Sequence, residues 1–390
     1  MKLDSAEPNR KAMDVEPLAI EIIGLRKQYG RATVLDELSL SVGKGEFIVI
    51  LGDSGSGKST LLKLIAGLEL PQSGTIRIEG LDQARRPPHN RDVAMVFQDG
   101  NGYEHLTVRQ NLDLAAKHSP EPNQVSRWVD WLQLEETLDQ KLTQLSGGQA
   151  QRLAIARAML SRKSVVLLDE PLAHLNQTLR EECRELILRV HRETKKTFLY
   201  VTHDSDEAFY LANRIAVLAS GRIQQVGDPL SVYRSPHSKV VAKLLGHPTV
   251  DILKIKKGWL VGGQNPDASL IECGVRSHDW RIRYVDLESP QDITRQVGLS
   301  MNTHGLLVKG AIGSCRWMGN RWLLEIECPE RIRITCESPC PEPLESKLLS
   351  AESSSRAVER SKPFGYLEAT LLRSSIQTFD NLECWDSSQL

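Results

Sequence analysis

Short apolar runs recur along the first two thirds of the chain, each followed by a stretch with helical spacing. Residues 46–51 lead into 58–68, 164–168 into 177–191, and 197–202 into 205–211, while an alternating run begins at Leu18. Apolar runs of this length without alternation suit strands buried on both faces, as in parallel sheets whose connections are helices. The pattern predicts an α/β domain with a largely parallel sheet over residues 18–245. Between Thr107 and Leu160 the spacing is helical, with Trp128 and Trp131 three apart, so a helical subdomain of about 100–162 is expected to interrupt the sheet.

After Pro236 the texture changes to strand-like runs at 259–261, 271–275, 306–308 and 322–326, separated by Gly, Pro and polar turns. They predict a second, mostly β domain over 246–390. Within it, residues 341–363 are rich in Ser and Glu with two early prolines, and they read as a flexible insertion. Residues 1–17 read as a disordered lead. That lead carries Lys2, Asp4, Glu7, Arg10 and Lys11 around no apolar core, which argues against a secretory signal.

Composition narrows the partners. The 390 residues carry 49 basic and 50 acidic side chains, interspersed, for a net charge of -1, so no basic surplus points to nucleic acid or anionic lipid. No apolar run approaches the ~20 residues of a spanning helix. The seven cysteines are odd in number and unevenly spaced, and free thiols are expected. Cys328, Cys336 and Cys340 lie close in sequence but lack a fourth ligand, so no metal–thiolate site is expected.

Two motifs carry chemistry. Gly52, Asp53, Ser54, Gly55, Ser56, Gly57, Lys58 and Ser59, with Thr60 next in the same turn, spell a phosphate-binding loop between an apolar strand and a helix. Its glycines let consecutive N–H groups turn around phosphates, the helix start adds a positive dipole end, and Lys58 supplies a cation. Ser59 is placed to hold magnesium. The run 164–168 ends in Asp169 and Glu170, at the strand end where open parallel sheets bind ligands. Asp169 would position the metal and Glu170 would polarise the attacking water. A plain glycine turn and two strand-end acids would each explain one motif, but not both in this order.

The stretch Leu145, Ser146, Gly147, Gly148, Gln149, opening a helix, resembles the signature motif of ABC ATPases. The resemblance implies ATP and Mg2+ as cofactors, and a dimer in which the signature of one subunit meets nucleotide on the phosphate loop of the other. It further implies that Gln98 senses magnesium and the permease, that His203 contacts the γ-phosphate, and that Tyr29 stacks on adenine. Residues 221–227, with Val232, Tyr233 and Pro236, look like the end of importer ATPases of the sugar, polyamine, sulfate and iron type. Those continue into an OB-like regulatory (TOBE) domain, which residues 274–279 and Phe379 with Asp380 resemble in part; Ser277 stands where the family has proline.

Membrane permease subunits, an extracytoplasmic solute-binding protein and a homodimer or ABC heterodimer are the implied partners, with the chain peripheral on the cytoplasmic side of the plasma membrane. Residues 90–98 lean toward sugar and glycerol-phosphate importers. Two departures stand out. Asn176 replaces an aspartate that usually crosses the dimer interface, and residues 100–104 replace an apolar segment with proline. The alternatives are a soluble ABC ATPase acting on nucleic acid or the ribosome, or an export ATPase. With neither a coiled-coil insertion nor tandem ATPase cores, no nucleic acid is expected.

Overall fold

The computed structural model describes residues 18–98, 102–117 and 124–245 with their side chains, and, between Val250 and Thr378, the backbone of nine β-strands. Its contacts divide the chain after Pro229 into two compact units.

In the first unit, six strands form the central sheet. They are β3 (Phe47–Leu51), β6 (Val93–Val96), β7 (Val165–Asp169), β8 (Thr197–Thr202), β9 (Arg214–Ala219) and β10 (Arg222–Gly227), in the order β10-β9-β3-β8-β7-β6. All neighbours are parallel except β9 and β10. Every residue of β3, β7 and β8 is buried, as their unalternated sequences predict. A second, antiparallel sheet of order β2-β1-β4-β5 was not anticipated. It contains β1 (Leu18–Tyr29), β2 (Ala32–Gly43), β4 (Ser73–Ile78) and β5 (Leu81–Asp82). Its period-two pattern puts Ile20, Ile22, Leu38, Leu40 and Val42 inside.

One core joins the two sheets to α1 (Lys58–Ala66). Leu61, Leu62 and Ile65 of α1 cluster with Ile48 and Ile50 of β3, Val165 and Leu167 of β7, and the inner residues of the antiparallel sheet. Burying each such side chain contributes roughly 1.5–3 kcal/mol. On the opposite face of the central sheet, Phe47 and Phe198 meet the ring of His191 on α5 (Gln177–Thr194), each at 5.1 Å. The next helix, α6 (Ser205–Leu211), runs back toward the start of β9.

The far end of α1 is held by a buried guanidinium. Arg91, 2% exposed, donates to the carbonyls of Leu64 and Ile65 in the last turn of α1 and to those of Gln83 and Arg86. A cation at a helix C-terminus is favoured by the exposed carbonyls and the dipole. Gly67 caps the helix in the left-handed conformation (φ 79°), and a Cβ there would fall 2.4 Å from Arg91 Nε.

The helical subdomain contains α2 (Val108–Ala116), α3 (Gln124–Leu132) and α4 (Gly147–Leu160). Both α2 and α4 start with reciprocal caps, Thr107 with Gln110 and Ser146 with Gln149. The buried Asn111 fastens the preceding loop by accepting from Tyr103 N and donating to Tyr103 O and Thr107 O. Trp128 and Trp131 pack edge to face at 5.6 Å.

The second unit opens with α7 (Pro229–Arg234) and α8 (Lys239–Leu244) and continues in antiparallel strands. One sheet has β11 (Val250–Lys256), β12 (Leu270–Arg276) and β19 (Gln377–Thr378). The other has β13 (Trp280–Val285), β14 (Gly298–Met301), β15 (Gly305–Trp317), β16 (Arg321–Glu327), β17 (Ile332–Glu337) and β18 (Tyr366–Leu372). The expected runs at 271–275, 306–308 and 322–326 fall in β12, β15 and β16. Those at 1–17, 259–261 and 341–363, with Ser277, Phe379 and Asp380, lie outside the described residues.

Candidate functional site

Four strand ends build the site. β3 delivers residues 52–60, β7 delivers Asp169 and Glu170, β8 delivers His203, and β6 delivers Gln98. All four strands are parallel, so their carboxyl ends open on one edge of the sheet, where ligands of such sheets bind.

The loop 52–57 turns sharply onto α1. Gly52 N–H donates to Thr202 O at 3.3 Å, and Ser56 N–H returns to Asp53 O at 3.2 Å. Gly57, at φ 105°, forms the N-cap of α1, and a Cβ there would approach Leu35 Cδ2 to 2.7 Å, so only glycine fits. No side chain caps this helix start. Its first-turn N–H groups have no intrahelical acceptor, and the dipole adds positive potential. Ser56 Oγ is buried without a protein partner, and Ser54 and Thr60 flank the same turn.

Lys58 is 3% exposed and its ammonium is fully occupied. Nζ donates to Gly52 O at 2.8 Å and Asp53 O at 2.9 Å, and lies 3.4 Å from Glu170 Oε1. The other oxygen of Glu170, Oε2, is 2.9 Å from His203 Nδ1. Glu170 N–H donates to Val201 O, which holds the residue at φ 42°, a left-handed conformation that costs a non-glycine residue about 1–3 kcal/mol. Strain of that kind fixes where the carboxylate sits.

Ser59 Oγ donates to Asp169 Oδ1 at 2.8 Å. Burial pushes the Asp169 carboxyl above the usual range, the Ser59 hydrogen bond pulls it down, and the Glu170 charge pushes it up again. A buried carboxylate with one hydroxyl donor keeps lone pairs for a hard cation. Ser59 and Asp169 therefore fit magnesium, and the uncapped helix start with the orphaned Ser56 hydroxyl fits phosphate oxygens.

At the rim, Tyr29 ends β1 half-exposed, its hydroxyl bonded to Glu69 and within reach of the Thr60 side chain. Burial and then Glu69 raise its phenol pKa, while the same bond lowers that of Glu69. The Lys27 ammonium stands 4.9 Å from the ring centre. Gln98 does not join the Lys58–Glu170–His203 chain; its Nε2 lies 3.2 Å from Nε2 of His174, a residue the sequence reading passed over.

The signature residues start α4 in the helical subdomain, where Ser146 and Gln149 bond each other. A Cβ on Gly147 would sit 3.5 Å from Leu175, and one on Gly148 3.4 Å from Leu179. Asn176 caps α5, its Oδ1 accepting from Leu179 N–H at 3.0 Å. The segment between Glu170 and α5 thus packs on the signature helix.

The ABC transporter family model matches residues 35–173. The sn-glycerol-3-phosphate import ATP-binding protein 1 of Rhizobium etli is 44% identical over 242 residues, covering 61% of this chain and 70% of that protein. The xylose/arabinose import ATP-binding protein of Haloferax volcanii is 40% identical over 281 residues, covering 70% and 73%. The maltose/maltodextrin import ATP-binding protein of Escherichia coli is 42% identical over 243 residues, covering 61% and 66%. A solved dimeric ATP-binding cassette with ADP and Pi superposes with a TM-score of 0.49 at 28% identity, covering 54% of this chain and 98% of that one. With relatives this similar matched over most of their length, and with the loop, carboxylates and histidine assembled on one sheet edge, the chain belongs to the ATP-binding proteins of ABC transporters.

Proposed function

We propose that this chain binds ATP with magnesium and hydrolyses it to drive solute import through membrane permease subunits. The observation that carries the reading is the continuous contact chain Lys58–Glu170–His203 beside the Ser59–Asp169 pair, at the mouth of the phosphate loop.

In this reading residues 52–60 wrap the phosphates, and Ser59, Asp169 and Gln98 hold the metal, which supplies charge neutralisation to the phosphates. Glu170 orients the attacking water and accepts its proton, while His203 steadies the carboxylate and faces the γ-phosphate. Tyr29 offers its ring to the base, against which the Lys27 ammonium already stacks. Ser146, Gly147, Gly148 and Gln149 present a second helix start to nucleotide held by another subunit, so the working unit is a homodimer or ABC heterodimer.

Relatives named for import of glycerol-3-phosphate, pentoses and maltodextrin support a sugar or glycerol-phosphate cargo. Such a system places the chain at the cytoplasmic side of the plasma membrane, beside permease subunits and an extracytoplasmic solute-binding protein. No helix among the described residues is long and apolar enough to cross a membrane. The domain reading is an ATPase domain over 18–245 and an OB-like regulatory domain over 246–390; the antiparallel strands from Val250 onward support a separate β-rich part, while the compact unit that holds them begins earlier, at Leu230.

Glu170→Gln keeps the shape of the side chain and removes the base. It is expected to lower kcat about 10²–10⁴-fold while retaining ATP binding. Pulled from membranes with ATP, the tagged variant should bring permease subunits; recovery of nucleic acid or ribosomes instead would overturn the transport reading.

A further inference from the structure

His174 lies in the short segment between Glu170 and α5, and its Nε2 is 3.2 Å from Gln98 Nε2. With the amide nitrogen of Gln98 facing the ring, the contact is a hydrogen bond when His174 Nε2 accepts, which is the neutral tautomer that carries its proton on Nδ1. A primary amide is planar, with its two polar atoms on opposite branches of one carbon. Fastening the nitrogen to His174 therefore sets the direction of Oε1 and leaves it as the acceptor for a hard cation.

Other residues of the segment are held as well. Glu170 is tied to Lys58 and His203, Leu175 packs against the start of α4, and Asn176 caps α5. His174 is thus carried on a backbone anchored at both ends, a rigid support for an orienting contact.

We infer that His174 is a positioning residue for Gln98, accepting its amide N–H so that the amide oxygen is set for the magnesium that accompanies ATP. The inference rests on the reading of Gln98 as a metal-sensing residue. The contact is an exposed side-chain hydrogen bond, so its loss is worth a few-fold in affinity rather than orders of magnitude.

The test is a magnesium titration of fluorescent ATP-analogue binding to the full-length chain. His174→Ala should raise the magnesium half-saturation about two- to fivefold. His174→Gln, whose amide oxygen can accept at similar reach, should restore it. In a Gln98→Ala background, His174→Ala should have no further effect. If Gln98→Ala shifts the titration while His174→Ala does not, or if the His174 effect is equal in both backgrounds, the positioning role is overturned while Gln98 keeps its own. If Gln98→Ala leaves the titration unmoved, both readings fall. Nitrogen-15 spectra of His174 give an independent check: an unprotonated Nε2 supports the inference, and a protonated Nε2 overturns it.

Discussion

At the scale of single residues, position in the chain told more than residue type. Ser59, Asp169 and Glu170 stood out in the sequence because each ends a strand or opens a helix beside a glycine-rich loop, and folding sets Ser59 against Asp169 and Glu170 against Lys58. His174 was not legible. A lone histidine among Pro171, Leu172, Ala173 and Leu175 carries no pattern, and its contact with Gln98 spans 76 positions. Lys196 was equally silent. It sits in the turn before β8, donating to Met159 O and Ser161 O at the end of α4, and burial lowers its pKa from 10.5 to about 8. Between about pH 8 and 10.5 the unfolded chain keeps a proton that the folded chain has lost, so this group adds stability as pH rises through that window and nothing changes below it. Urea midpoints for the wild type should therefore rise relative to Lys196→Met between pH 8 and 10; a constant difference would show the ammonium to be ordinary.

At the scale of elements, the parallel strands and the helices that follow them were readable from unbroken apolar runs and the helical spacing after each. The antiparallel sheet was missed because alternation along β1 identifies a strand but not its partners, and β1 pairs with β4 across more than forty residues. The attachment of α1 was hidden for a related reason. Arg91 follows an unremarkable Pro-rich turn, and only folding brings its guanidinium to four carbonyls. Arg91→Met keeps most of the volume but strips those carbonyls of their donor. It should cost about 2–4 kcal/mol of unfolding free energy. Because α1 carries the phosphate loop at its other end, nucleotide affinity should weaken in parallel. Denaturant melts with and without ATP check both, and an unchanged melt would show that water replaces the guanidinium without loss.

At the scale of the whole molecule, the phosphate loop stands on the central sheet and the signature on the helical subdomain, both in one chain. If the working site is assembled from two chains, as proposed above, turnover per chain depends on protein concentration. Specific activity of the purified chain should rise as it is concentrated, and the Glu170→Gln variant should elute as a dimer with ATP and as a monomer without it. Activity proportional to concentration at every dilution would mean that one chain suffices. The same scale gives the Lys58 ammonium another meaning. A buried cation that had to wait for phosphate would leave the newly made chain with an uncompensated charge in its core, and folding would then depend on nucleotide supply. Here two carbonyls and the Glu170 carboxylate of the same chain already surround it. The polypeptide can thus complete its fold first and meet its fuel afterwards, so abundance of the protein need not follow the energy state of the cell that makes it.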